Sequence, residues 1–416
     1  MKHFRPLALT FVLPVIHACD RGPAPTDPAV DAPLTATTED IYTVGTSAGE
    51  DWETFGGIGT VAFNAAGELS VFDSQSRRVI VVDADGGHLR TFGREGEGPG
   101  ELQFPLAFTV LSDGRAVIFD FGRPGTFEIY DAVGAFETGV TVDIMQGVPG
   151  SLLLPLADGR LVSAGGPRFN FPSPDDESAA EEVYRRDIHV FSLAGDDTEV
   201  LYRAWDLPPT ESEVTIEDEQ GRPEMTINRM RAFEPGLHLA VHVDGRLAVV
   251  DSTTYEVKLV DADGNVTGTI GRPIAPTVVT EEIREATRAQ RIEAYSATTA
   301  IGFMGQEMSS AESAQMRETF LTQVETMVFA DEIPVIAGMA VDREGRFWIT
   351  RAPTVVGGDA PTDILTPNGD YLGTLPAGGL SIPDAFGPNG LIAFIETDDV
   401  GVQRVRVIRL VALDGE

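Results

Sequence analysis

The chain has 416 residues, 42% of them apolar, and a formal net charge of −35. That length and apolar content allow a large buried core in one or more domains and exclude a disordered polymer. The acidic field repels phosphate backbones and anionic lipid surfaces, which excludes nucleic acid as a partner.

The first predicted element is a targeting segment. Lys2 and Arg5 precede the apolar run PLALTFVLPVIHAC, which is too short to span a bilayer as a mature helix and ends at Cys19, the single cysteine of the chain. The residues IHAC resemble a bacterial lipobox, with Ile16 three before the cysteine and Ala18 directly before it, while Pro14 and His17 depart from the pattern. The expectation is a signal peptide over 1–18, lipidation of Cys19, and a disordered tether over 19–40 rich in Pro, Ala and Asp. A conventional signal peptide cut nearby is the alternative. Both place the mature protein outside the cytoplasm, in the cell envelope. The first attaches it to a membrane through its N-terminal lipid only, on the periplasmic side in a Gram-negative host.

From there the chain is periodic. GELSVFDSQSRRVIVVDADG at 67–86 and GRLAVVDSTTYEVKLVDADG at 245–264 align without a gap, and GRAVIFDFGRPGTFEIYDAVG at 114–134 aligns with one extra residue. The leading glycine recurs as Gly67, Gly114, Gly159, Gly245, Gly345 and Gly390, at spacings of 47, 45, 86, 100 and 45. Three spacings are one period, and the two long ones contain inserted material, so the count is six. Each unit reads as four short strands divided by Asp-Gly and Ala-Gly turns, as in TVAFN, LSVFD, RVIVVD and HLRTFG. Apolar residues on both strand faces require packing on both sides, which is the pattern of β-propeller blades. The last unit lacks a fourth strand, and IYTVGT at 41–46 is predicted to supply it by pairing with Val405 to Leu413. The propeller is thus expected over 41–416.

Two regions depart from the period. Residues 166–186 and 206–235 flank the outer strands of the third blade, and 279–332 reads as a helical insertion between blades four and five. SSAE at 309–312 forms a capping box. Met316, Phe320, Leu321, Val324, Met327 and Val328 then recur at helical spacing, an apolar stripe expected to pack on the propeller.

The stretch GREGEGPGELQFP, Gly93 to Pro105, leads into a first strand and resembles the equivalent loop of NHL-repeat propellers. The resemblance extends over 55–138 and 236–272, and loosely over 336–415. It implies a six-bladed funnel that binds at one face or in the channel, in a group spanning protein and RNA binders, amidating lyases and lactonases. Fold alone does not choose among these. The same glycines do not make a phosphate loop: there is no GxxxxGK[ST], and Glu95, Glu97 and Glu101 stand where phosphate charge would sit.

Few residues point to chemistry. The DADG turns at 83–86 and 261–264 lack the further ligands of a calcium loop. His238 and His242 lie four apart on a predicted inner strand, so they share a face and could point to the channel, yet zinc needs a third ligand. Arg229 and Arg231 fall near a predicted channel mouth, where they would attract an anion or a carboxylate side chain. No G-x-S-x-G elbow is present. The reading is a non-catalytic scaffold that binds a protein, peptide or glycan, with no cofactor. The alternative is a channel-centred lyase or lactonase using a metal, calcium or zinc, or His238 and His242.

Overall fold

The computed structural model describes residues 30–165, 186–195, 197–204, 213–217, 223–228, 230–297, 302–303, 306–307, 309–353 and 357–415. Six four-stranded antiparallel sheets form the body. Blade one comprises Ile58–Phe63, Leu69–Asp73, Arg78–Val82 and His88–Phe92. Blade two spans Pro105 to Thr141, blade three Leu154 to Arg203, blade four His238 to Gly271 and blade five Ile336 to Leu375. First strands of neighbouring blades meet one another, so they line the axis.

The period has a conformational cause. In five blades the glycine N–H closes a four-residue turn onto the carbonyl of Asn64, Leu111, Leu156, His242 or Asp342. Its φ lies between +83° and +89°, a region glycine enters without the Cβ clash other residues meet.

Blade six joins the two ends of the described chain. Its sheet order is Leu34–Val44, Gln403–Gly415, Leu391–Thr397, Ala385–Phe386, with Val44 opposite Val405 and Leu34 opposite Gly415. The closing strand is therefore longer than 41–46. It takes in 34–40, which the sequence assigns to the tether, while 1–29 lie outside the described residues. The reason is position: an outermost strand buries Leu34 and Val44 at its ends and leaves much of the stretch between them exposed, so its composition resembles a linker.

The core is divided among the blade interfaces. One cluster joins blades one and two around Phe72 and Phe108, whose rings stack at 5.4 Å, and another joins blades two and three around Phe127 and Phe191 at 5.7 Å. Buried carboxylates fasten the incoming connections. Asp120 accepts N–H bonds from Gln103 at 2.6 Å, Phe104 at 2.8 Å and Gly122 at 2.9 Å, and Asp73 does the same for Gly56, Gly57 and Ser76. Such carboxylates are fully satisfied by backbone donors and have structural work.

The loop 93–105 is such a connection. It wraps around Glu101, which accepts from Gly98 N–H and Arg94 Nε, both at 2.8 Å. Gly100 has φ +70°, and a Cβ there would lie 2.7 Å from Phe136 Cβ. Tyr130 OH donates to its carbonyl at 2.9 Å and pins the loop to blade two.

Strand parity places the connections. Turns between first and second and between third and fourth strands emerge on one face. The other face receives the second-to-third turns and the blade-to-blade connections, which include 166–186, 205–237 and 272–335. The described ends of these long insertions therefore lie on the same side.

Candidate functional site

Two helices stand on that side, between blades four and five: α1, Glu281–Ala297, and α2, Ser310–Glu325. Thr280 caps α1, its Oγ1 accepting from Ile283 N–H at 3.4 Å, and Glu281 and Glu282 complement the dipole of the first turn. Ser313 N–H bonds the carbonyl of Ser309 at 2.9 Å, the first turn of α2. The Tyr295 and Phe320 rings stack at 5.0 Å and join the helices.

The apolar stripe of α2 has a different neighbour from the one expected. Val324 and Met327 are buried with Ala232, against Met230, Phe233, Tyr295 and Phe329, and not on the blade sheets. The cause is a short parallel pairing of Arg231–Ala232 with Val328–Phe329, in which Val328 N–H bonds Met230 O at 2.9 Å and Ala330 N–H bonds Ala232 O at 3.0 Å. It stitches two insertions, distant in sequence, into one cap. Phe329 also carries the guanidinium groups of Arg288 and Arg284, at 5.0 and 5.8 Å from its ring centre.

The cap frames two clefts. One, of about 600 Å³, is the more polar of the two and lies between the stitched strands and the blade-four turn; Arg231, Glu234, Ser252, Thr253, Asp331 and Glu332 line it together with Val328 and Phe329. The other, of about 760 Å³, lies between α1 and the top of blade five, with Phe233, Ile274, Ile283, Val335 and a series of prolines on its walls.

Beside the second cleft is a network of charges. Arg272 and Asp363, both with fully buried side chains, pair at 2.7 Å, and Arg272 lies over the Tyr371 ring at 3.7 Å. Asp31 accepts from Arg272 at 2.9 Å and from Arg351 at 2.7 Å. Burial opposes ionisation of Asp31, but the bonds from Arg351 and Arg272 outweigh it and hold the carboxyl below its ordinary range. Nothing in the sequence signalled this network, because its members come from 31, 272, 351 and 363.

The residues singled out in the sequence are dispersed. Arg231 lines the polar cleft and pairs with Glu234. Arg229 lies outside the described residues. His238 opens the inner strand of blade four on the capped side, where burial, aided by Arg186, lowers its pKa. His242 sits at the other end, as the first residue of the glycine turn. Its Nδ1 is 2.9 Å from Asp244 Oδ1, and its ring stacks on Phe347 of blade five at 5.1 Å and 7°. The shared face expected from alternation does not bring the two imidazoles to a common channel site. Asn64 and Asp342 hold the equivalent corner elsewhere, bonding the N–H groups two and four residues on. The Asp83 and Asp261 carboxylates of the DADG turns bond their own backbones in the same way. Among the described residues, no group of three or more His, Cys, Asp or Glu is placed to hold a metal ion.

Fold and site together define a six-bladed β-propeller with one capped, cleft-bearing face. No family model matches the chain, and no curated protein matches it. Solved structures do. A member of the DUF4221 family from Bacteroides vulgatus is 8% identical, over 93% of this chain and 100% of that one, with a TM-score of 0.52. A Bacteroides fragilis protein assigned to export is 10% identical over 94% and 98%, with a TM-score of 0.49. A gluconolactonase from Xanthomonas campestris is 14% identical over 95% and 100%, with a TM-score of 0.34. At these identities the likeness is one of fold.

Proposed function

We propose that the protein is an exported, lipid-anchored, NHL-like propeller that acts as a non-catalytic receptor, holding a protein, peptide or glycan on its capped face. The supporting observation is the stitching of two insertions into one cap over a polar cleft. Ring closure needs neither insertion, whereas a fixed, concave, hydroxyl- and carboxylate-lined surface suits a hydrogen-bonding partner. The N-terminal segment supports export, and Cys19 the lipid. A channel-centred enzyme receives no such support from His238 and His242, which end on opposite faces.

Photo-crosslinking in cells tests this. A benzoylphenylalanine at Thr253, in the polar cleft, is expected to yield a discrete adduct, and one at Val133, an exposed turn residue of the opposite face, none. Adducts at Val133 alone, or equally at both, would overturn the assignment.

A further inference from the structure

The cleft under α1 is chemically unlike the polar one. Its walls are apolar, yet Arg291 of α1 also lines it. The other arginines of the helix, Arg284 and Arg288, share one acid, Glu281, at 3.9 and 3.5 Å. Across the cleft, Arg351 is held by Asp31 at 2.7 Å. Arg291 reaches only the Met230 sulfur, at 3.9 Å, and has no carboxylate partner among the described residues. In a chain of charge −35, where acids outnumber bases 65 to 30, a half-buried guanidinium with no acid beside it among the described residues is conspicuous. A cation beside apolar walls loses hydration, and a bound anion restores its partner through charge-assisted hydrogen bonds.

We infer that this cleft binds a small amphiphile, with an anionic head on Arg291 and an apolar body against Phe233, Ile274, Ile283 and Val335. Its volume of about 760 Å³ lies within the range of small-molecule sites. A neutral head leaves the guanidinium uncompensated, and a cationic one is repelled. The site is separate from the polar cleft, so it stands or falls independently of the receptor reading.

The test is calorimetric titration of the full chain carrying Cys19→Ser, which cannot be acylated, with laurate, dodecyl phosphate, dodecanol and dodecyltrimethylammonium. One equivalent of laurate or dodecyl phosphate is expected to bind, and the tighter of the two identifies the head group as carboxylate or phosphate. The cation should bind about tenfold or more weakly. Arg291→Gln should weaken the anions by about tenfold and leave dodecanol unchanged, Arg291→Lys should retain much of the binding, and Ile283→Asp should abolish it. Ala377→Trp, at an exposed position on the cleft wall, gives a second readout, an indole emission shift when laurate is added. Failure of both anions to saturate at one equivalent, equal affinity for the cation, unchanged binding by folded Arg291→Gln, or no shift from the Ala377→Trp reporter overturns the inference.

Discussion

Asp31 and Arg272 share an ion-pair network and differ in what their loss would do. Arg272 is fully buried against Asp363, so replacing it by Met leaves that buried carboxylate with the Thr374 hydroxyl at 2.6 Å and Arg351 at 3.4 Å, with an expected cost of about 3 kcal/mol. The Asp31 side chain is half exposed, and solvent screens its pairs, so Asp31→Asn should cost only about 1 kcal/mol at pH 7. Because folding lowers the Asp31 pKa, its contribution is complete above the ordinary value near 3.8 and disappears as pH falls through the folded value. Urea unfolding at pH 7 and again well below 3.8 measures this: the gap between wild type and Asp31→Asn should close in acid, and a gap independent of pH contradicts the account. His242 illustrates how far a single residue is legible. Alternation assigns it to the face of His238, but only the turn register, shared with Asn64 and Asp342, reveals a corner residue.

At the scale of elements, the seam in blade six is the part on which the ring depends. Leu34–Val44 pairs along the final strand with shifts in register after Thr37 and Asp40, and supplies the fourth strand of that sheet. Deleting 34–44 exposes the edge of the last strand and uncovers Leu410 and Leu413, which pack near Leu34. The expected result is a sharply lower melting temperature or an insoluble product. An unchanged melting temperature would show that closure lies elsewhere. The blades were readable because one turn, with its glycine in the same conformation in five blades, returns at one period or, where insertions intervene, at about two. The cap was not. Its second helix was visible from the capping box and apolar stripe, but the partner of that stripe was not, because the stitch uses two residues from each of two distant segments, Arg231–Ala232 and Val328–Phe329. Too few positions are involved to leave a periodic trace.

For the whole molecule, the two faces have separate duties. The plain face carries short turns whose acids bond their own backbones, together with Arg343, which donates from blade five to Phe386 O and Phe63 O, both at 3.0 Å, bridging blades six and one. The capped face carries both clefts and, beside one of them, Asp31, where the described chain begins to be fastened. If Cys19 is acylated, the residues between it and Asp31 reach at most about 40 Å when extended, and the capped face works close to the bilayer. Intact-mass measurement of protein from the membrane fraction should show a diacylglyceryl-bearing N-terminal cysteine; an unmodified N-terminus would remove the anchor from the proposal.

The grip on Asp31 also sets a load path. Tension on the N-terminal end meets the two guanidinium groups first, with Ala32 held by Tyr371 OH at 3.0 Å and by Thr374 N–H at 2.7 Å. Force is delivered to blades four and five before it reaches Leu34, so the strand that closes the ring is relieved of strain. A tug from outside is spent on an ionic clasp that can reform, and the zipper behind it stays shut.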